Sequence, residues 1–265
     1  MTEAVTSTDI KNFKNDGVIV LRGVFSDWIE VLSKGTEFHI NNPSESALIH
    51  KQNSYQGRFL EDFCNWQRIP QYKGFVENSA LGSLAADLTE SQSVQFFHDH
   101  FLFKEGNSGV ETPWHQDIPY YCVDGDQTVS FWLPLESREK SVSLKCAAGT
   151  HQLTREIRPT SWSNNKSFYE NDAAFIDLPD IENGNFEIKQ WSTEPGDVIA
   201  FNFKTIHSAN ANKLSGISRT LSFRLLGDDV RYRRREGKTS PNFYNINQNN
   251  GERLREDWFP TIWTN

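Results

Sequence analysis

Polar and apolar positions divide this chain into a helical first third and a strand-rich remainder. Ile10 and Phe13 share one side of a short stretch, 8–17, that Gly17 closes, which predicts a helix. Val18-Ile19-Val20-Leu21 follows as a β-type run, and helical spacing returns from Asp27 to about Thr36. Another helix is predicted between about Gly74 and Leu88, where Phe75, Leu81, Leu84 and Leu88 recur. From Val94 the texture changes. Runs rich in Val, Ile, Phe, Trp and Thr occupy 94–104, 114–123, 128–135, 142–147, 186–192, 197–207 and 219–226, separated by turn chemistry such as EGNSG, DGD and EPGD. Strands that follow one another without helices between them predict an antiparallel sandwich or barrel, not a doubly wound sheet. The expected fold class is α+β, with N-terminal helices packed on a jelly-roll-like β core. Ser161–Asn185 is the longest expected loop, a binding element or a plain surface excursion.

Composition narrows the picture. The chain of 265 residues has no internal repeat, low-complexity tract or linker, so one domain over 1–265 is expected. Within it, a helical part spans about 1–90, the β core about 91–230 and a C-terminal extension about 231–265. Lys and Arg number 27 against 35 Asp and Glu, and the net charge of -8 argues against nucleic acid or an anionic membrane as partner. Only 37% of residues are hydrophobic, but 13% are aromatic, and rings bury enough area for a core despite the low hydropathy. No apolar run is long enough to span a bilayer, and the start MTEAVTSTDIKNFKNDG lacks the basic and apolar regions of a secretory signal. A cytoplasmic protein is expected. Cys64, Cys122 and Cys146 are odd in number and lack CxxC spacing, which supports neither a disulfide framework nor a cysteine zinc site.

Of seven histidines, one sits in an H-x-D tripeptide, His115-Gln116-Asp117. On a strand, residues i and i+2 project from one face about 6.5–7 Å apart, and their side chains can converge on one cation. A third ligand must come from another strand, and His207 is the candidate. In 197–207 the alternate positions Ile199, Phe201, Phe203, Thr205 and His207 form an apolar row that should point inward. Two His and one Asp make the facial triad that suits non-haem Fe(II), with open positions for cosubstrate and oxygen. The bland reading of H-x-D is a strand histidine bonded to a neighbouring carboxylate. His98 and His100 are also i and i+2, but Asp99 faces the other way, so they read as structural or supporting residues. His151 reads as a loop residue.

An oxygenase that uses 2-oxoglutarate must also hold the cosubstrate's far carboxylate, a task that suits arginine. Arg219 opens a strand in which Arg219, Leu221, Phe223 and Leu225 share the apolar face, so it is expected to point inward. Arg224 alternates with them and is expected on the solvent side. A salt bridge to one of the many carboxylates is the bland alternative for Arg219. Lys104 and Trp132 are weaker candidates for the same pocket. Arg231, Arg233, Arg234 and Arg235 read as a solvated surface paired with adjacent acids.

Taken together, several spaced motifs resemble the phytanoyl-CoA dioxygenase family. They are Thr112-Pro-Trp-His-Gln-Asp117, Gly196-Asp-Val-Ile-Ala-Phe201, His207-Ser208, Arg219 in the next strand, and the opening Phe13-Lys-Asn-Asp-Gly-Val-Ile-Val-Leu-Arg-Gly-Val24. The tail from Gly227-Asp-Asp through Thr239-Ser-Pro to Trp258-Phe-Pro is similar to a bacterial branch, so the resemblance covers nearly the whole chain. It implies a double-stranded β-helix (cupin-like) fold and an Fe(II)- and 2-oxoglutarate-dependent dioxygenase. Such an enzyme uses O2 to hydroxylate a small-molecule metabolite, releasing succinate and CO2. His115, Asp117 and His207 would hold the iron, Arg219 the far carboxylate of 2-oxoglutarate, and Lys104 and Trp132 would line that pocket. Asp117 argues against the halogenating relatives, which lack this carboxylate. Two departures stand out: Ala148-Gly-Thr-His151 replaces the more usual Pro-Gly-Ser-His, and the interval from His207 to Arg219 is one residue longer than is common. The alternative is a cupin-like protein that binds metal or a small ligand without redox turnover. Tyr55, Phe59, Trp66, Tyr120 and Tyr121 are candidates for lining a substrate cavity or for the core, and a small polar or zwitterionic substrate is expected.

Overall fold

The computed structural model describes residues 5–50, 57–106, 108, 111–161, 167–169, 173–211 and 216–265. Two antiparallel sheets face each other. The larger runs in the order Val18–Leu21, Val198–Phe201, Thr128–Pro134, Ser218–Leu226, Ser93–Lys104, Phe59–Phe63 and Leu48–His50, and Thr261–Thr264 also pairs with Ser93–Lys104. The smaller runs Ile188–Lys189, Leu144–Ala147, His207–Ala209 and Thr112–His115. Trp132, Ile199 and Phe201 of the larger sheet pack on Leu144 and Cys146 of the smaller, the sandwich interior that a jelly roll requires.

The other face of the larger sheet carries the helices. Phe101, Phe131, Leu133, Leu221, Phe223 and Leu225 bury against Leu32, Tyr72, Phe75, Leu81, Leu84 and Leu88. At about 1.5–3 kcal/mol for each large apolar side chain, this is the main source of cohesion. None of the described helices is long and apolar enough to cross a membrane.

Local chemistry explains the element boundaries. The first helix, Ser7–Asp16, begins on a Thr6/Asp9 capping box and ends on Gly17, whose φ of 72° is left-handed. The single helix expected over 74–88 is two, Pro70–Asn78 and Leu81–Thr89. Ser79 breaks it by turning extended and accepting the Leu81 amide on its hydroxyl at 3.2 Å. The run 114–123 is strand only to His115, then enters a 3-10 turn, Ile118–Tyr120.

The run 197–207 is likewise not one strand. Val198–Phe201 belongs to the larger sheet, and His207–Ala209 belongs to the smaller. Between them the Thr205 amide donates to the Asn202 carbonyl at 2.9 Å. The Gly17 carbonyl accepts from the Asn202 amide at 2.9 Å and from the Thr205 hydroxyl at 2.8 Å, which pins this corner. His207 is therefore buried because the chain changes sheets, not because it ends a straight apolar row.

Candidate metal centre and its cavity

The Thr112–His115 strand pairs with His207–Ala209, with His115 opposite His207, and the next turn places Asp117 beside them. The ligand atoms of His115, Asp117 and His207 all lie within 4.8 Å of one another, the one such group found among the described residues. Both histidine Nε2 atoms face the Asp117 Oδ1, at 3.6 Å and 3.8 Å. Each Nδ1 is 2.8–2.9 Å from a backbone carbonyl, Pro113 for His115 and Thr205 for His207. A carbonyl can only accept, so each Nδ1 carries the proton and each Nε2 keeps its lone pair for a cation.

Burial favours a neutral Asp117, but the charge of Arg224 and the two imidazoles outweigh it and hold the carboxyl well below the usual carboxylate range. Its Oδ2 is held by the Ser130 hydroxyl at 3.3 Å and Arg224 Nη2 at 3.5 Å, leaving Oδ1 to the histidines. Burial, then the neighbouring His115, brings the His207 imidazole down to about 3. It is neutral near pH 7, as a ligand must be. The donor set thus fits a divalent transition ion with two nitrogens, one anionic oxygen and an open side.

The open side gives onto a cavity of about 900 Å³, lined by the triad and by Lys104, Tyr120, Tyr121, Trp132, Glu136, Arg138 and Arg224, among others. Lys104 and Trp132 are both on the cavity wall. Arg219 is not. Its Nε donates to Glu136 at 2.6 Å and its Nη1 to the Thr36 hydroxyl at 3.2 Å, which ties the strand to the helix Ile29–Asn41. Its row is inward, as expected, but it faces the helical layer. Thr220, Ser222 and Arg224 face the sandwich interior, so Arg224 is buried and not on the solvent side. A one-residue offset on a strand reverses the face.

Other expectations sort as follows. Tyr120 and Tyr121 line the cavity, Trp66 belongs to the helical core, Phe59 lies under the Lys104 ammonium at 4.8 Å, and Tyr55 lies outside the described residues. His98 is buried at the interior face with its Nδ1 against the Asp99 carbonyl, and His100 lines the cavity. Asp99 points the other way and accepts the Asn65 and Trp66 amides. Arg235 is buried rather than solvated. It donates to the Tyr121 and Ile118 carbonyls at 2.9 Å and pairs with Glu156 at 2.7 Å, clamping the turn after Asp117. Glu61, His50 and Arg138 were not singled out from the sequence, and Arg224 was expected on the solvent side. A signal for the first existed: Phe59, Glu61 and Phe63 alternate on one face, a carboxylate between two rings.

Comparison with solved structures supports the same architecture. A non-heme alpha ketoglutarate dependent carbocyclase, SnoK from nogalamycin biosynthesis, superposes with a TM-score of 0.79 at 17% identity, covering 98% of each chain. The epimerase SnoN, in complex with Fe3+, alpha ketoglutarate and nogalamycin RO, gives 0.74 at 16% identity over 96% of this chain and 97% of that one. EctD from S. alaskensis with 2-oxoglutarate and 5-hydroxyectoine gives 0.68 at 19% identity over 90% of this chain and 86% of that one. No curated protein matches in sequence. The family model for phytanoyl-CoA dioxygenase matches residues 13–221, a span that includes all three triad residues. By that match, the chain belongs to the phytanoyl-CoA dioxygenase family.

Proposed function

We propose that this protein is an Fe(II)- and 2-oxoglutarate-dependent dioxygenase that hydroxylates a small-molecule metabolite, with succinate and CO2 as co-products. The observation that carries the reading is the donor set: two carbonyl-locked imidazoles and one ionised carboxylate converge at the wall of a large cavity. Bound iron would supply the activation of O2 by 2-oxoglutarate. The chain's own residues would do the rest. His115, Asp117 and His207 would hold the ion, Ser130 and Arg224 keep Asp117 oriented, and the aromatic walls would orient substrate and exclude water.

For the far carboxylate of 2-oxoglutarate, Lys104 on the cavity wall takes the part that the family resemblance implies for Arg219. Burial pulls the Lys104 ammonium down to about 8, although Glu61 and Glu111 favour its charge. An arriving carboxylate would restore the charged form.

The reading is tested by anaerobic titration of the purified protein with Fe(II), then 2-oxoglutarate. The expected result is a metal-to-ligand charge-transfer band that is absent from His115→Ala and Asp117→Ala. Iron binding without the band would instead support a non-redox binding protein. A pH dependence follows from Lys104. Its charge is lost as pH rises through about 8, so kcat/KM for 2-oxoglutarate should fall, approaching tenfold per pH unit above that point. Lys104→Arg, permanently charged, should remove this component of the profile. A wild-type profile that stays flat from about pH 7 to 9 would move the anchor elsewhere.

A further inference from the structure

A second polar group lines the cavity on the wall made by Leu48–His50, Phe59–Phe63 and Ser93–Lys104. Glu61 is 5% exposed, and its Oε1 is 2.9 Å from His50 Nε2. Its Oε2 has no hydrogen-bond partner among the described residues. His100 is 4% exposed, and its Nε2 lies 3.4 Å from that oxygen, within ion-pair distance but short of a full hydrogen bond for either atom. The His100 ring stacks on Phe63, with centroids 3.9 Å apart and planes at 17°. A buried carboxylate oxygen without a full hydrogen bond keeps accepting capacity that a donor in the cavity can satisfy.

The chemistry of the wall selects the ligand. The carboxylate oxygen can accept from a donor, and the stacked His100 and Phe63 rings lie on the same wall; a carboxylate next to aromatic rings suits an ammonium group. Two of the cavity's carboxylates already have guanidinium partners, Asp117 with Arg224 and Glu136 with Arg138. Glu61 has only imidazoles within ion-pair distance among the described residues, with the Lys104 ammonium of the paired strand farther off.

We propose that Glu61, flanked by His100 and Phe63, is the specificity-determining subsite of the cavity and takes a protonated amine of the substrate. That the bound amine is then oxidised rests on the dioxygenase reading; the preference for an ammonium group does not.

The test uses one carbon skeleton in three charge states. Phenethylammonium, phenethyl alcohol and phenylacetate are titrated calorimetrically into wild-type protein, Glu61→Gln and Glu61→Asp. The ammonium compound should bind wild type most tightly. Glu61→Gln, nearly isosteric, should weaken it by roughly tenfold to a hundredfold, the loss of one charge-assisted hydrogen bond, with the alcohol nearly unaffected. Glu61→Asp should retain the order of preference. Equal binding of all three compounds to wild type, or undiminished ammonium binding in Glu61→Gln, would overturn the proposal. If Glu61→Gln does not fold, the order of the three ligands on wild type and Glu61→Asp decides. The Fe(II)–2-oxoglutarate band is recorded on the same samples. Its absence alongside intact ammonium preference would overturn the dioxygenase reading alone.

Discussion

Asp117→Ala is expected to abolish 2-oxoglutarate-dependent succinate formation, with a loss well beyond about a hundredfold. Removing a mere hydrogen-bond partner of a metal ligand typically costs ten- to a hundredfold, so removing a ligand must cost more. The substitution takes away one of three donors and the only anionic one. It also leaves Arg224, buried and within 3.5 Å, without the carboxylate that balances it. Iron affinity should therefore fall together with turnover, and thermal stability with both. Succinate production and iron content measured on the same preparation provide the check. Full turnover with iron bound would refute the ligand assignment.

The second large effect separates Lys104 from Arg219. Lys104→Ala should raise the KM for 2-oxoglutarate by roughly tenfold to a hundredfold, the worth of one buried charge-assisted contact, with iron binding intact. Arg219→Ala should leave that KM within about twofold and instead lower stability by roughly 1–3 kcal/mol, because it releases Glu136 and Thr36. Steady-state kinetics and thermal melts on the two variants distinguish the outcomes. A KM effect confined to Arg219→Ala would return the anchor to that residue and require its strand to present the other face.

Arg219 and His207 show how far residue patterns carry. Alternation correctly places Arg219 among Leu221, Phe223 and Leu225, and that row is buried. Yet the strand lies in a sheet covered on both sides, by helices on one and by the smaller sheet on the other. Burial alone then does not distinguish the core from the cavity. For His207, the apolar row pointed to the right residue although the chain turns a corner at 202–205. The cause lies in Gly17, 190 positions earlier, whose carbonyl pins that corner. Contacts of that sequence separation leave no local periodicity to read.

The sequence by itself determined the class of the fold, the H-x-D candidates and the family, because hydrophobic alternation and motif spacing are local properties; that Asp117 comes from a turn and not from the strand of His115 was decided by the tertiary structure. The sequence also named Lys104 and Trp132 as weaker pocket candidates, from their places in the runs 94–104 and 128–135. Only the tertiary structure decided which of two buried faces looks into the cavity. The same holds for Arg224 at the side of Asp117, for Arg235 clamping the turn after it, and for Glu61 facing His100 on the paired strand. Each of these depends on the register between strands distant in sequence, where a shift of one residue exchanges the helical core for the active cavity.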